Sequence, residues 1–257
     1  MKVIILCGGK GTRLREETEV KPKPMVEIGG RPVIWHIMNI YAAAGYTDFV
    51  LPLGYKGEKI KEYFYNYKIQ NCDFTVDLGS GAVTTHTDCA CTNWKITLVD
   101  TGQETLKGAR IKKVAKYIDT DRFMVTYGDG LADVDLAALV DFHKKSGATG
   151  TFTGVRMPSR FGAVTTDEVG RILSWKEKPV LNEYINGGFF VFKREFLDSL
   201  TEDEDCDLET APLERLADAG KLSMYRHEGF WQCMDTLRDW QSLNAMWQKG
   251  QRPWVKG

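Results

Sequence analysis

The sequence contains no apolar run long enough to cross a bilayer. Val3-Ile4-Ile5-Leu6-Cys7, near its start, is too short even for the hydrophobic core of an export signal. Excess charge of either sign is also missing: 34 Lys and Arg stand against 35 Asp and Glu, a net charge of -1. That argues against a chain-wide basic surface for nucleic acid or anionic membrane. No internal repeat, low-complexity tract or long linker occurs, and none of the six cysteines forms a C-x-x-C pair. Cys89-Ala90-Cys91 with His86 nearby fits no established zinc spacing, and unpaired cysteine is commonly a small hydrophobe. The expectation is a cytoplasmic chain whose thiols stay reduced. Hydrophobic residues make up 43% and charged residues 27%, which is ordinary for a globular protein and excludes disorder, collagen and coiled coil. A chain of 257 residues can bury roughly 70–75% of its unfolded surface, enough to fold without disulfide or metal staples.

Short apolar runs alternate with helical patterns through the first half. Lys2 to Leu6 reads as a buried strand followed by a glycine-rich loop. Pro32 opens a helix carried by Val33, Ile34, Ile37, Met38 and Tyr41 and stopped by Gly45. Asp48 to Leu53 is a second strand, and Glu58 to Tyr67 a second helix. Ile111, Val114, Ala115 and Ile118 have helical spacing, Phe123 to Tyr127 is a strand, and Leu136, Leu139, Val140 and His143 line the next helix. This rhythm implies a mostly parallel, Rossmann-like α/β sheet flanked by helices, with ligands at the carboxyl ends of its strands. Gly79 to Asn93, polar and Thr-rich, reads as a long loop between two strands. Beyond residue 150 short β runs dominate, giving a smaller β-rich second half, and Leu237, Trp240, Leu243, Met246 and Trp247 mark a last helix. One integrated domain over 1–257 is the simplest division.

The densest chemical signal is the loop after the first strand: Leu6, Cys7, Gly8, Gly9, Lys10, Gly11, Thr12 and Arg13. Its glycines let backbone approach a ligand and point successive N–H groups at an anion, while Lys10 and Arg13 add charge. It is neither a dinucleotide fingerprint, which needs glycine where Leu14 stands, nor a P-loop. Ten residues past Arg13 stands Lys23, within Lys21-Pro22-Lys23-Pro24-Met25. Each proline biases the lysine before it toward extended backbone, and the stiff segment can fix a charge against phosphate. Seen alone, either piece also reads as a plain turn.

Together they are more specific. Gly-Gly-x-Gly-Thr-Arg-Leu followed by Lys-Pro-x-Pro-Met resembles the sugar-1-phosphate nucleotidyltransferases (NDP-sugar pyrophosphorylases). Gly128-Asp129-Gly130, Glu177-Lys178-Pro179, Asn186-Gly187-Gly188 and Trp231 to Thr236 continue the likeness in the family's order, over roughly residues 1 to 240. Longer runs, such as Lys21 to Gly30 and Met234 to Asp239, resemble the cytidylyltransferase branch that acts on glucose 1-phosphate. Departures fall at Cys7, where Ala is usual, at Lys10, at Gly102 to Thr105 and over residues 70 to 95, touching the base and sugar pockets.

The resemblance implies attack of a sugar phosphate on the α-phosphorus of a nucleoside triphosphate, with CTP and glucose 1-phosphate the expected pair and CDP-glucose, a precursor for bacterial surface polysaccharide, the product. It implies Mg²⁺ held by Asp129 and Asp235, and Arg13 and Lys23 as catalytic residues on the triphosphate. Nucleotide contacts fall on Leu6 through Arg13, Lys23, Thr105, Arg110 and Gly128; sugar-phosphate contacts fall on Glu177, Lys178, Asn186 and Gly187. Residues 1–150 form the nucleotide-binding half and 151–257 the sugar-phosphate half. It also implies a homo-oligomer, with segment 79–93 a candidate contact. Asp129 could alternatively be a turn residue and Asp235 the N-cap of the last helix. Two rivals stay open: a metal-dependent glycosyltransferase using Asp133-Val134-Asp135, and a sugar-nucleotide-sensing subunit without activity.

Overall fold

A computed structural model of the chain describes residues 1–86, 92–159 and 161–255. Cys89 and Cys91 lie outside them. The first half runs β1 (Lys2–Leu6), α1 (Arg15–Thr18), β2 (Glu27–Ile28), β3 (Arg31–Pro32), α2 (Val33–Ala43), β4 (Asp48–Leu53), α3 (Gly57–Tyr65) and α4 (Tyr67–Gln70). Then come β5 (Phe74–Val76), β6 (Val83–Thr85), β7 (Lys95–Asp100), α5 (Lys107–Lys113), β8 (Arg122–Tyr127), β9 (Gly130–Ala132) and α6 (Leu136–Ser146). The rest comprises β10 (Gly150–Val155), β11 (Ala163–Thr166), β12 (Ile172–Lys176), β13 (Ile185–Asn186) and β14 (Phe190–Lys193), followed by α7 (Ala211–Asp218), β15 (Leu222–His227), β16 (Trp231–Cys233) and α8 (Leu237–Gln248).

Eight strands form one sheet in the order β13-β10-β14-β8-β1-β4-β7, with β15 on β10. Strands β8, β1, β4 and β7 are mutually parallel; β14 runs against β8. The sheet therefore crosses residue 150 without a break, and the second half extends it. Its inner strands read as unbroken apolar runs because both faces are covered. Val3 and Ile5 join one core with Ile34, Ile37, Met38 and Leu139, from α2 and α6. Ile4 and Leu6 face the other way, against Ile111, Leu213 and Leu216 from α5 and α7.

Several expectations change. The loop expected over Gly79 to Asn93 contains β6, paired with β5 as a hairpin. The helix expected around Ile111 to Ile118 starts earlier, at Lys107, and gives way at Val114 to a 3₁₀ turn. Lys23, expected on extended backbone, instead opens a 3₁₀ turn over Lys23–Met25. Consecutive bonds from Met25 N–H to the Pro22 carbonyl and from Val26 N–H to the Lys23 carbonyl outweigh the steric preference of a residue before proline. Cys72 is disulfide-bonded, against the expectation of reduced thiols throughout, while Cys7, Cys206 and Cys233 are free. No helix among the described residues is long and apolar enough to cross a membrane.

The carboxyl-terminal segment closes over α2. Trp254 is fully buried, and its indole N–H points at His36 Nδ1 at 3.4 Å, while His36 Nε2 lies 2.9 Å from the Ile28 carbonyl. These partners require a neutral imidazole with its hydrogen on Nε2. Burial pushes His36 down to about 4, with the charges of Arg31 and Arg252 acting in the same direction. Between its ordinary value of 6.5 and about 4, the unfolded chain takes up a proton that the folded chain refuses. His36 thus contributes stability that is complete above that window and lost as pH falls through it, about 3 kcal/mol in all. Urea unfolding at pH 7 and pH 4.5 should show a smaller pH-dependent loss for His36→Gln than for wild type; equal losses would contradict this account.

Candidate active site

Strands β1 and β8 pair with Leu6 opposite Tyr127, so the chain leaves both at the same edge of the sheet. The loop Gly8 to Arg13 follows one and Gly128-Asp129 the other. Gly128 is required by this closeness: a Cβ there would lie 2.6 Å from the Leu6 carbonyl oxygen. From the far side, β16 pairs antiparallel with β9, Cys233 opposite Gly130, and Met234 N–H donates to the Asp129 carbonyl at 2.9 Å. This seats Asp235 beside Asp129, more than a hundred residues away in the chain.

Helix α8 begins immediately afterwards. Thr236, not Asp235, is its N-cap, in a capping box with Asp239. The carboxylate of Asp235 is left to the cavity. There Lys23 Nζ lies 2.5 Å from Asp129 Oδ2 and 2.5 Å from Asp235 Oδ1, and Arg13 donates to the second Asp235 oxygen. Burial by itself would lower the Lys23 pKa, but the two carboxylates outweigh it and the net shift is upward. Lys23 is therefore a fixed positive charge.

Asp129, Cys233 and Asp235 each offer one ligand atom, all within 4.8 Å of one another. Burial pushes the Cys233 thiol up, so it stays neutral and is a poor partner for a hard cation. Both carboxylates bond the Lys23 ammonium here; with Lys23 turned to phosphate, the pair would suit a divalent ion such as Mg²⁺, which takes one or two carboxylates and fills its remaining positions with phosphate and water. The residues fit such an ion.

The cavity over this cluster measures about 730 Å³. Leu6, Cys7, Gly8, Gly9, Lys10, Gly11, Thr12, Arg13, Lys23, Thr105, Arg110, Gly128, Asp129, Asn186 and Asp235 all line it. Glu177, Lys178 and Gly187 do not. Glu177 and Lys178 follow β12 on an exposed hairpin, and the Gly187 carbonyl accepts the Trp231 indole N–H at 2.8 Å. The Cys7 side chain is fully buried, so only its backbone can meet a ligand. Thr105 is also enclosed: its hydroxyl donates to the Thr101 carbonyl and accepts from Lys113.

Arg110 is only 4% exposed, and both of its terminal nitrogens meet protein oxygens. Nη1 donates to Leu53 O, Thr101 Oγ1 and Gly102 O, and Nη2 to Gly8 O and Gln103 O, at 2.7 to 3.2 Å. Its guanidinium thus ties the first loop to the 102–105 loop from beneath. Gly8 must be glycine, since a Cβ there would fall 2.0 Å from Arg110 Cζ. Sequence reasoning missed Lys107, Tyr127 and Glu209, which also line the cavity. Tyr127 ends a strand that reads as core. Asp207 and Glu209 lie in an acidic stretch that looks like solvated surface, and only the fold turns it inward.

The acidic pair is not the one in Asp133-Val134-Asp135. Asp135 caps α6, accepting from Ala138 N–H at 3.0 Å, and Asp133 lies 3.0 Å from His227. A mostly parallel sheet with a glycine-rich anion-type loop and a Lys–Arg–carboxylate cluster at the carboxyl edge of its parallel strands suits transfer of a nucleotidyl group. The nucleotidyl transferase family pattern matches residues 2–247, and the chain belongs to that family of enzymes. It is 47% identical over 256 residues to glucose-1-phosphate cytidylyltransferase of Salmonella typhi, covering 99% of this chain and 98% of that protein. It is 44% identical over 254 residues to a protein of Bacillus subtilis (strain 168) named probable glucose-1-phosphate cytidylyltransferase, covering 99% of each. The crystal structure of HddC from Yersinia pseudotuberculosis has the same fold, with a TM-score of 0.69 at 22% identity over 96% of this chain and 99% of that one.

Replacing Arg110 with Met removes its bonds to four carbonyls and a threonine hydroxyl; the Leu53 carbonyl keeps the Thr101 N–H and hydroxyl and the Gly8 carbonyl keeps the Tyr55 N–H, whereas those of Gly102 and Gln103 lose the donor described above. The expected loss is about 3 kcal/mol of unfolding free energy, read by urea denaturation. A loss within about 0.5 kcal/mol, the range of ordinary surface substitutions, would mean that the clamp is not structural.

Proposed function

We propose that this enzyme transfers the cytidylyl group of CTP to α-D-glucose 1-phosphate, giving CDP-glucose and pyrophosphate. The observation that carries this reading is identity of 47% along essentially the whole chain to the Salmonella cytidylyltransferase. The cluster of Arg13, Lys23, Asp129 and Asp235 in one cavity supports the reaction type.

Phosphoryl chemistry of this kind depends on positioning and charge neutralisation rather than on a covalent intermediate. Arg13 and Lys23 bind the triphosphate and stabilise the charge that grows on the departing pyrophosphate. Asp129 and Asp235 are the residues that would hold Mg²⁺. Bound there, the ion would supply charge neutralisation to the reacting phosphates. Backbone groups of Leu6 to Gly9 meet the base, where cytosine and uracil differ by one amino-for-carbonyl exchange. Asn186 belongs to the sugar side. For Glu177 and Lys178 to grip the sugar phosphate, their hairpin must move toward the cavity, because they stand outside its lining. In this division residues 1–150 serve the nucleotide and 151–257 the sugar phosphate, in a cytoplasmic enzyme.

Pyrophosphate release, with four nucleoside triphosphates each paired with a panel of sugar 1-phosphates, tests the assignment. CTP with glucose 1-phosphate should exceed every other pair and require Mg²⁺. A better rate with UTP, dTTP or another sugar would keep the reaction and change the substrate; no release with any pair would favour a sensing role. Lys23→Ala should lower turnover at least ten- to hundredfold, as expected for one charge-assisted hydrogen bond, with the far-ultraviolet dichroism unchanged.

The hairpin of β5 and β6 carries Phe74, Val76 and Val83, each more than 40% exposed. That exposure supports the homo-oligomer, with this hairpin against a neighbouring copy. Light scattering on the eluted protein should give a multiple of 29.1 kDa, and a monomer would remove the idea.

A further inference from the structure

One wall of the cavity is built from side chains that the charge cluster leaves unused. Asn186 Nδ2 donates to the Tyr127 hydroxyl at 2.8 Å, and that hydroxyl lies 2.6 Å from Glu209 Oε1. On the other side Lys107 Nζ lies 2.7 Å from Glu209 Oε2. The directions of these bonds are fixed. Gly188 N–H donates to Asn186 Oδ1 at 2.9 Å, which leaves the amide's N–H groups for Tyr127 and the cavity. A phenol that accepts one hydrogen from Asn186 sends its own to the carboxylate. Lys107 can only donate. The chain of bonds therefore runs from Asn186 through Tyr127 to Glu209, with Lys107 closing it from the opposite end.

A carboxylate is out of place in a cavity built for phosphates unless it recognises something other than phosphate. Lys107 neutralises it, which limits its repulsion of an anionic ligand. Glu209 keeps 30% of its side chain exposed, but Oε2 is buried on the Lys107 side, so the oxygen left to a ligand is Oε1, which takes one hydrogen from Tyr127 and has lone-pair capacity for another. Acceptor capacity thus remains beside a spare N–H on Asn186. An acceptor next to a donor is the complement of adjacent hydroxyls on a sugar ring. We propose that Glu209, oriented by Tyr127 and Lys107, is a specificity-determining residue that accepts a hydrogen bond from a ring hydroxyl of a substrate. The proposal rests on reading this cavity as the nucleotidyl-transfer site. Two rings offer that chemistry, the ribose of the nucleotide and the hexose of the sugar phosphate.

The test compares wild type, Glu209→Gln and Tyr127→Phe as full-length proteins. In one arm kcat/KM is measured for CTP against its 2′-deoxy and 3′-deoxy forms. In the other, glucose 1-phosphate is compared with its singly deoxygenated analogues. Wild type should discriminate against loss of one hydroxyl, and Glu209→Gln should erase about ten- to hundredfold of that discrimination in one arm while leaving the other arm's ratios unchanged. Tyr127→Phe should lose a smaller part in the same arm; if Glu209→Gln does not fold, this variant decides. The arm that responds identifies the ring. Unchanged ratios in both arms, a uniform fall for every substrate, or a wild type indifferent to each hydroxyl would overturn the proposal. Calorimetric dissociation constants for each nucleotide and sugar phosphate give the same ratios without turnover, so failure of the transfer reaction is told apart from failure of Glu209.

Discussion

Leu6 and Tyr127 sit side by side at the ends of two parallel strands, and the arrangement of the cavity depends on that pairing. Parallel neighbours deliver their carboxyl ends to one edge of the sheet, so two loops far apart in sequence emerge together. One brings backbone N–H groups and Arg13; the other brings Asp129. Gly128 permits the approach because nothing larger fits against the Leu6 carbonyl. The short ladder of β9 with β16 then carries Asp235 to the same place from the end of the chain.

What these loops assemble is a site of opposed charges. Two carboxylates, an ammonium and a guanidinium meet at hydrogen-bond distance, partly shielded from water. In such surroundings a missing partner costs more than a present one contributes. The same reasoning applies beneath the first loop, where the Arg110 guanidinium is enclosed by oxygens of the residues that it holds. Both of its terminal nitrogens are bonded by the protein, so its contribution to ligand binding runs through the shape of the loop above it.

Much of this was legible in the sequence, for local reasons. The loop from Gly8 to Arg13 and the lysine at 23 form short motifs whose chemistry depends on residue type and spacing. Strands β1, β4 and β8 were visible because both of their faces are buried. Strand β15 was not, since Leu222 to His227 is only half covered and mixes polar with apolar residues. Helix α5 was misplaced because Lys107 to Arg110 carries little apolar periodicity, its start being fixed by Ala109 N–H on the Cys206 carbonyl. Lys23 was placed on the wrong backbone because local steric preference yielded to turn hydrogen bonds.

By itself the sequence determined the class of fold and the family's reaction chemistry, because alternating hydrophobic patterns and anion-binding motifs act over a few residues. Tertiary structure alone decided which acidic residues share a cavity. Asp135 caps a helix while Asp235 meets Lys23, and that difference is set by strand register and by Thr236 taking the cap. It also decided that Glu209 meets Tyr127 in the cavity wall, since the loop carrying it is anchored to α5, about a hundred residues earlier in the chain. A carboxylate has the same composition in either setting; only the packing around it selects between them.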